Sequence, residues 1–282
     1  MIHRLAVVGL GLLGGSVAKA ARERGLAREV VAVGRRLESL AAAHAERVVD
    51  RVTTDLGDGL AGADFALLAT PVATAEGLMP KVWQAAADGA VITDVGSTKV
   101  PIVRCATALA AQRDLAFVGS HPMAGSERSG YGASRADLFN GALVIVTPTE
   151  RTDPLALKRV SEFWEALGGR VGVMDPDEHD RAVAAVSHLP HLVAYALVEA
   201  VARLNPAFFG VAARGFKDTT RIAASDARVW REIFQSNRAA LREALAAFRT
   251  SLEELERLVA EDDGERLERK LEEIRQLRNR LE

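Results

Sequence analysis

The sequence predicts an α/β protein: a doubly wound sheet in residues 1–174 followed by an all-helical domain in residues 175–282. Three observations predict it. Short apolar runs alternate with amphipathic stretches through the first part, which implies parallel strands joined by crossover helices. A glycine-rich turn follows the first apolar run, and beyond "MDPDEHD" only helical periodicity remains.

Taken in order, "RLAVVGL" reads as a strand, 12–24 as a helix, "EVVAVG" as a strand and 36–46 as a helix. "DFALLAT", 74–87, "GAVITDV", 98–111 and "LAFVGSH" repeat the alternation. "GALVIVTP", a helix over 154–167 and "RVGVM" extend the same sheet to about residue 174. Then Asp175 reads as an N-cap, Pro176 as the first helical position and Glu178 as the acid three residues beyond the cap, together a helix start. Helical patterns follow over 177–204, interrupted by Pro190, then from 207, over 226–260 and over 264–281. Stretches such as "VAAVSHLPHLVAYALVEAVARL" are too apolar on one side to stand alone, so a homodimer through the helical domain is expected. The charged end "EDDGERLERKLEEIRQLRNRLE" reads as a solvated amphipathic helix closing the bundle.

A chain of 282 residues accommodates two domains with their own cores. With 49% hydrophobic residues, 26% charged residues and a net charge of -2, it has no electrostatic case as a nucleic-acid binder. The single cysteine, Cys105, cannot form an intramolecular disulfide and argues against a thiolate metal site; a cytoplasmic protein with Cys105 in its core is expected. No apolar run approaches the roughly 20 residues that span a bilayer, so no membrane partner is expected.

The turn "VVGLGLLGGSVA" sets Gly9, Gly11 and Gly14 in GxGxxG spacing between a strand and a helix, the arrangement of a Rossmann dinucleotide site. Gly9 permits the tight turn, Gly11 lets a pyrophosphate approach, and Gly14 allows close packing of helix on strand. Leu12 and Leu13 open the helix whose N-terminus favours the negative charge. At the tip of the second strand, where NAD enzymes carry an acid for the ribose 2′-hydroxyl, stand Gly34, Arg35 and Arg36. A guanidinium pairs with a 2′-phosphate and a small Gly34 leaves room for it, so NADP is favoured, with NAD the weaker alternative. Thr70, Pro71 and Val72 follow the fourth strand, where they are expected to line the cofactor.

Three further regions look unlike core: "DVGSTK" at 94–99, "GSHPMAGSERSG" at 119–130, and "SHLPH" at 187–191 with "GFKDTTRIAASD" at 215–226. A cleft between the domains would unite them. His121 suits a base that accepts a hydroxyl proton while a hydride leaves the same carbon, Ser97 can orient that hydroxyl, and Arg221 offers a fork for a carboxylate. Each has a plain structural alternative: a turn residue for His121, a helix N-cap for Ser97, a surface ion pair for Arg221. His188 and His191 share a helix face, yet no metal is expected, because no HExxH or nearby cysteine accompanies them and Pro190 lies between. Hydrogen bonding to a polar substrate or across the domain interface suits them better.

"GLGLLGGS", "DVGSTK", "HPMAGSE", "SHLPH" and "GFKDTTRIAASD" followed by a tryptophan, in this order, resemble the prephenate and arogenate dehydrogenases of tyrosine biosynthesis, the TyrA family. The resemblance implies a Rossmann domain followed by a helical dimerisation domain, and oxidation of a cyclohexadienol ring by NAD or NADP while its ring carboxylate departs as carbon dioxide. It implies that His121 takes the ring-hydroxyl proton, Ser97 orients that hydroxyl, Arg221 binds a carboxylate and His191, with His188, meets the substrate from the helical half. Glu127, beside Ser126, would stand at the mouth of the site, and Trp230 would shape it. The choice between prephenate and arogenate stays open. The rivals are a reductase of the β-hydroxyacid dehydrogenase type, which relies on a lysine in its helical half, and an NADP-binding sensor without chemistry.

Overall fold

The computed structural model describes residues 1–111, 113, 115–125 and 128–281. Among them, eight strands form one sheet in the order β3-β2-β1-β4-β5-β6-β7-β8. The strands are β1 (Ile2–Val8), β2 (Ala27–Val33), β3 (Arg51–Thr53), β4 (Phe65–Leu68), β5 (Val91–Asp94), β6 (Ala116–Pro122), β7 (Leu143–Thr147) and β8 (Arg170–Val173). "FALL" and "VITD" are buried at every position, as expected of strands covered on both faces.

Helices α1 (Leu12–Glu23), α2 (Glu38–Ala45) and α6 (Pro154–Ala166) and helices α3 (Leu56–Leu60), α4 (Val72–Ala85) and α5 (Val100–Ala110) supply the crossovers. Two apolar clusters result. One gathers Val17, Phe65, Phe139, Val160 and Trp164; the other gathers Leu60, Leu68, Met79, Val82, Trp83 and Ile102.

Chain order along the sheet reverses between β1 and β4, which pair in parallel with Val8 beside Leu68. That switch point sets Gly9 next to Ala69 at the carboxyl ends of the strands, where open α/β sheets bind ligands. β7 runs antiparallel to β6, with His121 opposite Ile145, so the sheet is mixed rather than wholly parallel. β3 and α3 lie in a stretch that showed no periodicity, because three residues of strand and a polar, glycine-rich turn of helix capped by Asp55 carry almost none. Cys105 is half-buried rather than core.

From residue 176 the chain is helical. Helix α7 (Pro176–Val183) passes through a π-helical turn, Ala184–His188, into α8 (Leu189–Leu204) without a break. The wider turn accommodates Pro190, whose ring would meet the carbonyl four residues earlier in a regular α-helix. The resulting 29-residue helix, Pro176–Leu204, is long and apolar enough by composition to cross a membrane, which corrects the shorter apolar run read from the sequence. Its first turns carry Asp177, Glu178, Asp180 and Arg181, and it packs on α5 and on α11.

After α9 (Arg214–Thr220), the expected helix over 226–260 divides at Asn237 into α10 (Ala227–Ser236) and α11 (Arg238–Ala260), and α12 (Gly264–Arg278) follows. Asp175 and Asp226 cap α7 and α10 through their side chains.

Candidate active site

The glycine turn is built for close approach. Gly9 has φ +98°, and a Cβ there would lie 2.7 Å from the Ala69 carbonyl oxygen. A Cβ at Gly14 would lie 2.0 Å from the Gly9 carbonyl oxygen, whereas Gly11 faces open space. Gly11 is the N-cap of α1 and offers no side chain, Leu12 and Leu13 form its first turn, and no acid stands there. The first N–H groups of a helix lack intrahelical acceptors, so an anion suits this end. Thr70 Oγ1 is buried at the same edge without a hydrogen-bond partner among the described residues. Pro71 is the N-cap of α4, and Val72 is buried behind it. An open glycine, an uncapped helix end and an orphaned hydroxyl fit a dinucleotide.

At the tip of β2, Arg35 and Arg36 are exposed, and among the described residues no carboxylate pairs with either. A Cβ at Gly34 would lie 2.9 Å from Leu40 Cδ2, so the missing side chain lets α2 pack close to the tip of β2.

At the ends of β5 and β6 a buried polar cluster replaces apolar core. Lys99 is fully buried; its ammonium pairs with the Asp94 carboxylate and donates to the Ser120 carbonyl at 2.8 Å. Asp94 also accepts the backbone N–H of Gly96 at 2.8 Å and of Ser120 at 3.1 Å. Trp164 Nε1 donates to Ser120 Oγ at 2.9 Å. Burial lowers the Lys99 pKa, while the Asp94 charge resists the shift. This network fixes the strand residue just before His121. Ser97 lies half-buried in the β5–α5 connection at the same edge, and the N-cap of α5 is Lys99, so Ser97 does not cap that helix.

His121 is 8% exposed, and its Nδ1 lies 2.9 Å from His179 Nε2. His179, fully buried, places Nδ1 2.8 Å from Asp180 Oδ1. The Asp180 carboxylate accepts the N–H of Lys99 at 2.8 Å and of Val100 at 3.0 Å, tying α7 to the start of α5. Asn237 Nδ2 donates to the Asp180 carbonyl at 2.6 Å and lies 3.2 Å from His188 Nδ1. One chain of contacts thus runs from the sheet into the helical half. Burial, then the charges of His179, Lys99 and His188, push the His121 pKa well below the ordinary imidazole value. Burial likewise takes His188 down to about 4.

The remaining sequence candidates gather beyond it. The ring of His191 stacks on Trp230 with centroids 3.5 Å apart, and His188 meets the same indole edge-on at 6.0 Å. His191 Nδ1 lies 2.9 Å from the Ser187 carbonyl oxygen. Arg221, exposed, is near enough to His191 to disfavour its charged form after burial has done so. His188 is 1% exposed and lies against Asn237 of the same helical half. Ser126 and Glu127 lie outside the described residues. No group of three or more metal-ligating side chains occurs among the described residues.

Sequence reasoning passed over His179, Asp180, Lys99 and Asn237. The "DEHD" that carries His179 and Asp180 signals only a helix start, and Lys99 within "DVGSTK" carries no signal of burial. Asn237 had no signal, since a lone asparagine within a helical pattern is ordinary.

A glycine turn on a Rossmann sheet, met at the strand ends by a helical half that brings histidines and a carboxylate, defines a two-domain dehydrogenase architecture. Residues 17–173 match the nucleotide-binding domain of prephenate dehydrogenase, and residues 175–273 match its dimerization domain. The chain belongs to the prephenate dehydrogenase family. It is 33% identical over 271 residues to the cyclohexadienyl dehydrogenase of Zymomonas mobilis, covering 95% of this chain and 92% of that protein. It is 32% identical to the prephenate dehydrogenase of Bacillus subtilis, covering 95% and 73%. The crystal structure of Aquifex aeolicus prephenate dehydrogenase with hydroxyphenyl propionate and NAD+ superposes with a TM-score of 0.93 at 36% identity, covering 100% and 99%. Synechocystis arogenate dehydrogenase gives 0.83 at 31% identity, covering 99% and 100%. A 3-hydroxyisobutyrate dehydrogenase from Salmonella typhimurium, at 13% identity and a TM-score of 0.62, shares the fold alone.

Proposed function

We propose that this protein oxidises and decarboxylates a cyclohexadienol, prephenate or arogenate, using a nicotinamide dinucleotide, and that NADP is preferred. The observation that carries the reading is His121: a buried imidazole with a depressed pKa, hydrogen-bonded through Nδ1 and standing at the ligand edge of the sheet. Such a base is neutral at physiological pH and ready to accept a proton.

Gly9, Gly11, Leu12, Leu13 and Gly14 would hold the pyrophosphate, Thr70 would give its hydroxyl to the cofactor, and Pro71 and Val72 would line it. The bound dinucleotide supplies a hydride acceptor. For the rest, the chain's own side chains account for the step. His121 takes the ring-hydroxyl proton as that carbon gives up its hydride, which relieves the cation-like centre. Ser97 orients the hydroxyl. Arg221 pairs with a substrate carboxylate, and His191, set by its stack on Trp230, contacts the substrate from the helical half. Loss of the ring carboxylate leaves an aromatic ring, and aromatisation drives the reaction.

NADP preference rests on Arg35 and Arg36, whose exposed guanidinium groups, without a carboxylate partner among the described residues, suit a 2′-phosphate where an acid would repel it. Self-association through the helical half is supported by the exposed side chains of Val186, Leu204, Phe208, Phe209 and Val211. A cytoplasmic place suits a biosynthetic enzyme of this kind. Steady-state kinetics with both substrates and both cofactors, following reduced-cofactor absorbance and carbon dioxide release together, test the proposal. One carbon dioxide per hydride is expected, and reduced cofactor without decarboxylation would overturn it.

A further inference from the structure

His121 reaches the helical half through His179, and His179 reaches Asp180, all three nearly closed to solvent at 8%, 0% and 4% exposure. The two imidazole rings meet edge to face, with centroids 5.1 Å apart and planes at 70°.

The donors around Asp180 decide where the protons lie. Its Oδ1 accepts the Lys99 N–H and its Oδ2 the Val100 N–H, so both oxygens already face donors and the carboxyl has no use for a proton of its own. The proton in the 2.8 Å contact between Asp180 and His179 therefore sits on His179 Nδ1. A second proton on His179 would place another cation in a fully buried site beside the Lys99 ammonium and His121. A neutral His179 has a bare Nε2, which accepts from Nδ1–H of His121 at 2.9 Å. That leaves the lone pair of His121 on Nε2.

We propose that His179 and Asp180 are positioning residues that hold His121 in its Nδ1–H tautomer, making Nε2 the nitrogen that takes the substrate proton. The substrate O–H bond breaks, the Nε2–H bond forms, and His121 becomes an imidazolium whose Nδ1–H stays on His179 with the Asp180 carboxylate behind it. The groups facing His121 are Lys99 from the start of α5, His179 from α7 and His188 from the π-helical turn, and burial together with the Lys99 charge opposes a standing positive charge there. The charge is thus taken up only during turnover. The arrangement parallels serine-protease triads, where a buried aspartate fixes a histidine tautomer and its loss as a hydrogen-bond acceptor lowers kcat by about 10⁴. Here a second histidine carries the constraint one ring further.

The proposal rests on the reading of His121 as the base, and its test separates the two. In ¹⁵N-labelled wild-type protein without substrate, at a pH above 7, His121 should show a protonated Nδ1 and an imine-type Nε2. His179→Phe, which keeps a ring but no acceptor, should lower kcat at least about 100-fold, a general-base-sized effect, with cofactor affinity and KM within about threefold. His179→Gln, whose amide oxygen can accept from Nδ1–H, should recover at least about tenfold of that loss. A proton found on His121 Nε2 would overturn the proposal whatever the variants do, as would wild-type kcat in His179→Phe. Should His121→Asn keep full turnover, the base reading itself fails, independently of the tautomer.

Discussion

Replacing Lys99 with methionine tests the buried cluster that holds the strand end under His121. The substitution keeps the apolar stem and removes the ammonium. The pair is sealed, with side-chain exposures of 0% and 1%, so solvent cannot stand in for the missing charge. Losing one partner of a buried pair costs about 3–5 kcal/mol. Asp94 retains the N–H groups of Gly96 and Ser120, while the Ser120 carbonyl loses its donor. The surviving bonds put the expected loss near the lower end, about 3 kcal/mol. Urea unfolding of both proteins at one fixed concentration reads it as a shift in midpoint with unchanged slope. Adding Asp94→Asn removes the uncompensated charge and keeps one acceptor, so about 1–2 kcal/mol should return. A loss below about 1 kcal/mol in Lys99→Met, or no recovery in the double variant, would refute the reasoning.

Two further outcomes follow from the same geometry. Arg35→Ala with Arg36→Ala should raise the KM for NADP about 10–100-fold, the equivalent of one or two charge-assisted hydrogen bonds, and leave NAD nearly unaffected; equal losses with both cofactors would contradict the phosphate reading. His188 has a folded pKa of about 4 against 6.5, so the unfolded chain binds its proton first as pH falls. The stability from keeping it neutral is fully present above pH 6.5 and is lost between pH 6.5 and 4, by at most roughly 3 kcal/mol. Urea midpoints across that range should fall, and His188→Gln should flatten the slope; an unchanged slope would remove His188 from the account.

Much of the fold is legible because its physics is local. A doubly buried strand reads as an unbroken apolar run, as "FALL" does, and Asp175-Pro176 announces a helix start by capping chemistry. β3 and α3 are not legible, being too short for a period to emerge. The antiparallel turn of β7 is equally hidden, since strand direction depends on the path of the connection and not on the residues within the strand. Pro190 misleads for a definite reason: a π-helical turn absorbs what an α-helix cannot. For the site, glycines, Arg35 and Arg36 and the motif histidines declare themselves by residue type and place. His179 and Asp180 do not, because their role exists only when α7 is laid against β6 and α5. Gly34 announces only a small residue, and that Leu40 of α2 packs where its side chain would stand is visible only in the fold.

The central claim is that His121 is the proton acceptor in a hydride transfer coupled to decarboxylation. The most direct test is turnover of His121→Asn with prephenate and with arogenate under saturating NADP, with NADP affinity measured alongside. The account predicts unchanged NADP affinity and a kcat lower by about 10²–10⁴-fold. Turnover equal to wild type with either substrate would contradict it.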